Sequence, residues 1–255
     1  MAKFRKALSY DDVLLVPTTT SVRSRNDCDT NSALYTNNKV WYHGQPLLAS
    51  PMSTVCDIDM CVEMNNNQCF GVLHRGHPYT SIDKKIEAFY KIYEHACVLS
   101  GIAIGSQDKD FDDALELAAR GVPLLCVDVA NGHNTHVANF VSRLKAKLSD
   151  THIMAGNVAT ASGFELLAKS GADSIRVGIS GGAACSTASN TGCGMPTLQS
   201  VLDCAEWREK SDYTYVTIIA DGGCKSSGDF AKAIAAGADF VMAGSLFAGT
   251  SASPG

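Results

Sequence analysis

Eight short apolar runs recur along the chain, separated by stretches with helical periodicity, and no other feature limits its fold so tightly. The runs are "PLLAS" (46–50), "CFGVL" (69–73), "CVLSGIAI" (97–104), "PLLCVDV" (123–129), "HIMAGNV" (152–158), "DSIRVGI" (173–179), "YVTIIA" (215–220) and "DFVMAG" (239–244). They are largely apolar without alternation, which is how strands buried on both faces read. Between them lie helix candidates. "SIDKKIEAFYKIYEHA" places Ile82, Ile86, Phe89 and Tyr93 on one helical face. "DKDFDDALELAARG", "NTHVANFVSRLKAKL", "ASGFELLAKSG" and "SGDFAKAIAAGA" follow the same logic, and Gly121, Gly171 and Gly237 stand where a helix ends in a left-handed residue. Eight strands with intervening helices predict an α/β protein, a (β/α)8 TIM barrel. An open doubly wound sheet is the alternative, but no G-x-G-x-x-G opens the first helix.

The expected organisation is one domain, 1–255, with barrel repeats over 45–255 behind an N-terminal segment, 1–44. The eighth strand calls for an eighth helix, whereas the sequence runs out at "LFAGTSASPG". The flank beside the first and last strands is then covered by the N-terminal segment or by a partner subunit, or the chain is a fragment.

Composition narrows the partners. The formal net charge of -5 gives no support to nucleic acid, and the N-terminus has neither a signal-peptide core nor a membrane-length apolar segment. The ten cysteines include no C-x-x-C pair, and several lie within apolar runs, so free thiols in a reducing, cytoplasmic setting are expected rather than disulfides or zinc.

In such a barrel the chemistry sits at the C-terminal ends of the strands. Here those ends read "SPM" (50–52), "HRGH" (74–77), "GSQ" (105–107), "DVANGH" (128–133), "GNV" (156–158), "GISGGAACST" (178–187), "ADGG" (220–223) and "AGS" (243–245), all polar or glycine-rich. Gly222, Gly223, Gly244 and Ser245 are candidates to present N–H groups and a hydroxyl to a phosphate, and Asp221 to accept hydrogen bonds from a ribose diol. Cys185 lies in a loop of small residues, open to close approach by a ligand.

The segments "YDDVLLVP", "LLASPMSTV", "GVLHR", "CVDVANGH", "IMAGNVAT", "ADSIRVGI", "CSTASNTGCGMPTLQSV", "ADGGCKSSGDFAKAIAAGADFVMAGS" and "AGTSASPG" appear in order over nearly the whole chain. Together they resemble the GMP reductase / IMP dehydrogenase family of purine nucleotide oxidoreductases. "DVANG" and "ADGGC" are similar to the reductases, as is the absence of a domain inserted between "GVLHR" and "SGIAIG"; "SPM" and "GVLHR" lean to the dehydrogenases.

The resemblance implies NADPH-dependent reductive deamination of GMP, or a related guanine nucleotide, to IMP. Cys185 would attack C2 of the purine and Thr187 would help activate the leaving group. Ser50, Met52, Asp221, Gly222, Gly223, Met242, Gly244 and Ser245 would hold the nucleotide. Asp128, Asn131, Gly132 and Asn157 would hold the cofactor. It further implies a K+ site on the backbone of Gly182 and Cys185, and a homo-oligomer, usually a tetramer. His74, Arg75 and His77 fall where the reductases carry a basic cluster; Arg176 reads as a structural partner of a nearby acid.

The cysteine loop departs from the family pattern. Ser180 replaces a glycine, Ala183 a phosphate-facing serine and Ala188 a basic residue, and the sequence ends before the family's mobile flap. Alternative readings are an IMP dehydrogenase using NAD, or a nucleotide-binding homologue without turnover.

Overall fold

The computed structural model describes residues 6–37, 39–96, 100–179 and 190–254. Eight parallel strands close into a barrel: β3 (Leu47–Ala49), β4 (Phe70–Leu73), β5 (Gly101–Ile104), β6 (Leu124–Asp128), β7 (His152–Val158), β8 (Ser174–Val177), β9 (Thr217–Asp221) and β10 (Phe240–Ala243), with β10 pairing back onto β3. Each matches one expected apolar run. The described residues also form seven helices: α1 (Ile58–Asn66), α2 (Ile82–Ala96), α3 (Asp108–Ala119), α4 (Thr135–Lys147), α5 (Ala161–Lys169), α6 (Thr197–Glu209) and α7 (Ser227–Ala235).

Period-two alternation divides each strand between two cores. In β6, Leu124 and Cys126 face the barrel interior while Leu125 and Val127 face the helices; in β10, Phe240 faces in and Val241 out. Helix starts are set by side-chain caps at the ends of the strand-to-helix loops. Asp57, Asn134, Thr160 and Ser226 accept from the free N–H groups of α1, α4, α5 and α7. Gly121, Gly171 and Gly237 follow α3, α5 and α7 with φ of +91°, +92° and +102°, as their positions predict.

Three features go beyond the sequence expectation. The short α1 ends in asparagines, poor helix formers, and α6 follows directly on the cysteine segment, so neither stands out by periodicity. The third is an antiparallel hairpin, β1 (Ser32–Thr36) and β2 (Lys39–Gly44), within the N-terminal segment. Its Trp41 and Tyr42 pack on Phe70, and Tyr42 also on Phe240, which closes the barrel's N-terminal mouth. There His152 is fully buried, stacked on Trp41, with Nδ1 bonded to Thr36 Oγ1 at 2.9 Å and Nε2 to Ser174 Oγ at 2.8 Å.

One expectation needs correction. Tyr93 is 57% exposed on α2; the buried stripe runs through Ala88, Phe89 and Ile92 instead, because the helix rests on the barrel along a narrower face. Of the three readings of the flank beside β3 and β10, coverage by the N-terminal segment is not seen among the described residues. Leu8 and Tyr10 bond Gln199 and Lys232 on α6 and α7, and the hairpin lies under the barrel. The flank carries an open groove of about 850 Å³ between α1 and residues 247–252.

Among the described residues no helix is long and apolar enough to cross a membrane, and no three His, Cys, Asp or Glu side chains gather as metal ligands. The eight described cysteines are free thiols.

Candidate active site

At the C-terminal mouth, the topmost inward-facing residues are polar. Arg176 lies in β8 level with Gly156 of β7, and Gly156 in turn pairs with Asp128 of β6. A side chain on Gly156 would meet the Cβ of Arg176 at 2.6 Å, so glycine is what lets the arginine enter the barrel there. Asp221 ends β9 two residues above Ile219, the register partner of Arg176.

The Arg176 guanidinium joins two carboxylates. Nε and Nη2 both donate to Asp221 Oδ2, at 3.0 and 2.8 Å, while Nη1 donates to Asp128 Oδ1 at 2.7 Å and to Cys126 Sγ at 3.5 Å. Asn157 Nδ2 adds a third donor to Asp221 Oδ2 and also reaches the Gly178 carbonyl, both at 2.8 Å. Strict alternation would turn Asn157 outward. The β7–β8 register shifts between Gly156 and Val158, and that irregularity turns it in. Gly178 is a second obligatory glycine. Its φ is +144°, and a Cβ would stand 2.0 Å from the Asp221 carbonyl oxygen.

Among the described residues, every hydrogen bond to the Asp221 carboxylate falls on Oδ2, leaving Oδ1 as the acceptor for a ligand. Asp128 is held through both oxygens, Oδ2 receiving the exposed Arg75 at 3.4 Å. Burial pushes the Asp128 pKa up, but Arg176 and Arg75 outweigh it and hold the carboxyl below its usual range. Arg176 is buried too, and Asp221 and Asp128 overcome that cost and raise its pKa. Cys126, fully buried, has its thiol pushed up to about 11 by burial, with Arg176 working against the rise. It is a poor nucleophile.

The remaining candidates surround this cluster. Ser50 is buried at the end of β3 and its N–H bonds the Ala243 carbonyl, joining the first and last strands. Met52 lies against Gly244, where an added Cβ would come within 3.0 Å of its sulfur. Gly222 and Gly223 turn with φ of +92° and +86°, although the Gly222 N–H already makes a long 3.5 Å bond to Met242. The Met242 side chain is buried in the barrel interior, so only its backbone belongs to the rim, and Ser245 is exposed.

Asn131 is exposed and accepts the His133 N–H, whereas Gly132 is buried and donates to the Asn157 carbonyl. His74 is 2% exposed, accepts the Gly76 N–H and meets the edge of Tyr79; burial lowers its pKa, as befits a neutral core histidine. Arg75 was legible only as part of a basic cluster; its contact with Asp128 comes from the fold.

Cys185, Thr187 and Gly182 lie outside the described residues, as do Ser180, Ala183 and Ala188. Immediately past that stretch, Gly194 and Met195 line a cavity of about 410 Å³ together with Tyr10, Thr197, Gly223 and Lys225. The cavity adjoins the glycine turn after β9. No signal in the sequence marked Tyr10 or Thr197 as part of this rim.

A closed (β/α)8 barrel with charged and glycine-rich residues at its C-terminal mouth belongs to a class of enzyme scaffolds that hold small ligands over the strand ends. Comparison with known proteins places it more closely. Residues 7–255 match the model of the IMP dehydrogenase / GMP reductase domain. GMP reductase 1 of Mus musculus is 37% identical over 243 residues, covering 95% of this chain and 69% of that protein. GMP reductase 1 of Homo sapiens is 38% identical over 247 residues, with the same coverage. A crystal structure of inosine 5' monophosphate dehydrogenase from Legionella pneumophila superposes with a TM-score of 0.84 at 35% identity, covering 98% of this chain and 72% of that one. The chain belongs to the IMP dehydrogenase / GMP reductase family.

Proposed function

We propose that the protein is an oxidoreductase of purine nucleotides that converts GMP to IMP with release of ammonia, using NADPH. The observation that carries this reading is the mouth cluster. It offers one carboxylate with an oxygen that no described residue engages, beside a glycine turn and suited to a ribose phosphate, and a second, partly buried carboxylate nearby. Relatives named GMP reductase at 37–38% identity support the direction of reaction.

The chain's residues divide the work. Asp221 accepts from the nucleotide's ribose hydroxyls through Oδ1. Gly222, Gly223, Gly244 and Ser245 face its phosphate, and Ser50 and Met52 flank it. Asp128, kept ionised, and the Asn131 carboxamide form a donor-and-acceptor set that fits a nicotinamide riboside, with Gly132 and Asn157 bracing the loop. When bound, reduced nicotinamide supplies the hydride that C2 of the purine receives.

Cys185 is the nucleophile. Its thiolate adds to C2, ammonia leaves from that carbon with Thr187 assisting proton transfer, and the thiolate departs once C2 carries hydrogen. A monovalent cation on the Gly182 and Cys185 backbone completes this reading of the loop. Leu14 and Val16 are 85% and 82% exposed in an extended arm, which supports the expectation of a homo-oligomer, a tetramer in the family.

The test is nicotinamide absorbance after mixing the protein with GMP and NADPH, then with IMP and NAD+. Consumption of NADPH with GMP is expected; formation of NADH from IMP would instead establish the dehydrogenase direction. Binding of GMP without turnover in either mixture would leave a nucleotide-binding homologue. Cys185→Ala is expected to abolish turnover while GMP still binds by calorimetry, and undiminished turnover in that variant would remove the covalent step.

A further inference from the structure

The Arg176 guanidinium is a shared resource. Four of its five N–H donors are engaged by the protein: two by Asp221, one by Asp128 and one by the Cys126 sulfur. It therefore has little left to offer a ligand directly, and its side chain is 6% exposed. What it does instead is fix two carboxylates on strands that are not neighbours, β6 and β9, with one planar fork. The Asp128 and Asp221 side chains are 26% and 12% exposed, so both lie closer to the mouth than the arginine. Arg75 meets Asp128 from the loop after β4, and Asn157 meets Asp221 from β7. Tyr10 and Cys224 lie near enough to Asp221 to feel its charge.

We propose that Arg176 is a positioning residue common to both ligand subsites, so that the strength of the nucleotide carboxylate, Asp221, and of the cofactor carboxylate, Asp128, is set jointly through one buried guanidinium. The proposal rests on the assignment of Asp221 to the nucleotide and Asp128 to the nicotinamide cofactor. Its physical basis is charge sharing in a site of low dielectric. If one carboxylate loses its charge, the guanidinium's full attraction falls on the other, which becomes a weaker acceptor for its ligand. Effects on the two subsites are then linked although no ligand needs to touch the arginine.

The test is calorimetric binding by the full chain at pH 7.5, each ligand titrated alone. Asp221→Asn is expected to weaken NADP+ at least threefold with no nucleotide present. Asp128→Asn is expected to weaken GMP at least threefold with no cofactor present. Arg176→Lys keeps the charge but cannot fork between the two acids. It is expected to weaken both ligands and to move the acid loss of NADP+ binding up by about one pH unit, because Asp128 loses much of the partner that keeps it ionised.

A melting curve for each variant confirms folding, and the two asparagine variants keep the test open if the lysine variant does not fold. Cross-effects below threefold in both asparagine variants would overturn the proposal and leave Arg176 with a purely structural role. Failure of the wild-type chain to bind GMP or NADP+ would overturn the functional assignment, and this proposal with it.

Discussion

Arg176 shows how much one residue can organise. As a buried cation it is tolerable only because two acids satisfy it, and the acids are useful only because it orients them. Read from sequence, it was a structural partner for one nearby acid; the fold gives it two, from strands 48 and 45 residues away in the chain. The glycines around it are as specific. Gly178→Ala puts a methyl group against the Asp221 carbonyl and asks a non-glycine residue to hold φ near +144°. Strain of this kind costs on the order of 1–3 kcal/mol. The variant is expected to melt lower and to bind GMP about tenfold more weakly, since Asp221 must move. Wild-type affinity in that variant, measured by calorimetry, would show that the backbone at Gly178 does not place the carboxylate.

Among the elements, the β1–β2 hairpin contributes stability and stands apart from the chemistry. Trp41 packs on Phe70 and His152 at the mouth opposite the site. Trp41→Ala removes that packing and is expected to cost about 3 kcal/mol in urea denaturation while leaving GMP affinity unchanged.

The buried His152 beneath it adds an acid sensitivity. Burial, with Lys145 nearby, drops its pKa from 6.5 to about 3. Above pH 6.5 the ring is neutral whether folded or unfolded and contributes no pH dependence. Below that, the unfolded chain takes up a proton that the folded protein refuses, so stability falls by up to about 1.4 kcal/mol per pH unit until pH 3. His152→Gln, which can still bond Thr36 and Ser174, should flatten this limb when urea midpoints are compared from pH 7 to pH 4. An unchanged slope would assign the acid loss to other groups.

At the scale of the whole molecule, ligands and fold should be linked. A nucleotide that binds only the closed barrel stabilises it by about 2.7 kcal/mol at a concentration a hundredfold above its Kd. For a chain of this size that corresponds to a rise of roughly 5–10 °C in Tm. GMP should produce it, and a GMP-independent Tm would argue against a preformed nucleotide site. The open groove between α1 and residues 247–252 lies on the flank beside β3 and β10.

Local patterns in the chain specify the succession of strands and helices that builds the barrel. Eight apolar runs, helical periodicity and terminal glycines are local signals, and each survives in the structure; the pairing of β10 with β3 closes the sheet and rules out the open alternative. Alternation also carried Asp128 and Asp221 to the inward face at the strand ends, so much of the site was legible once the strands were placed. Other features come only from long-range contacts. Asn157 turns inward through a register shift, Arg176 joins acids from two distant strands, and the hairpin finds the open barrel mouth. Each depends on contacts between segments far apart in the chain, and no local pattern encodes which distant partner will be there to meet a side chain.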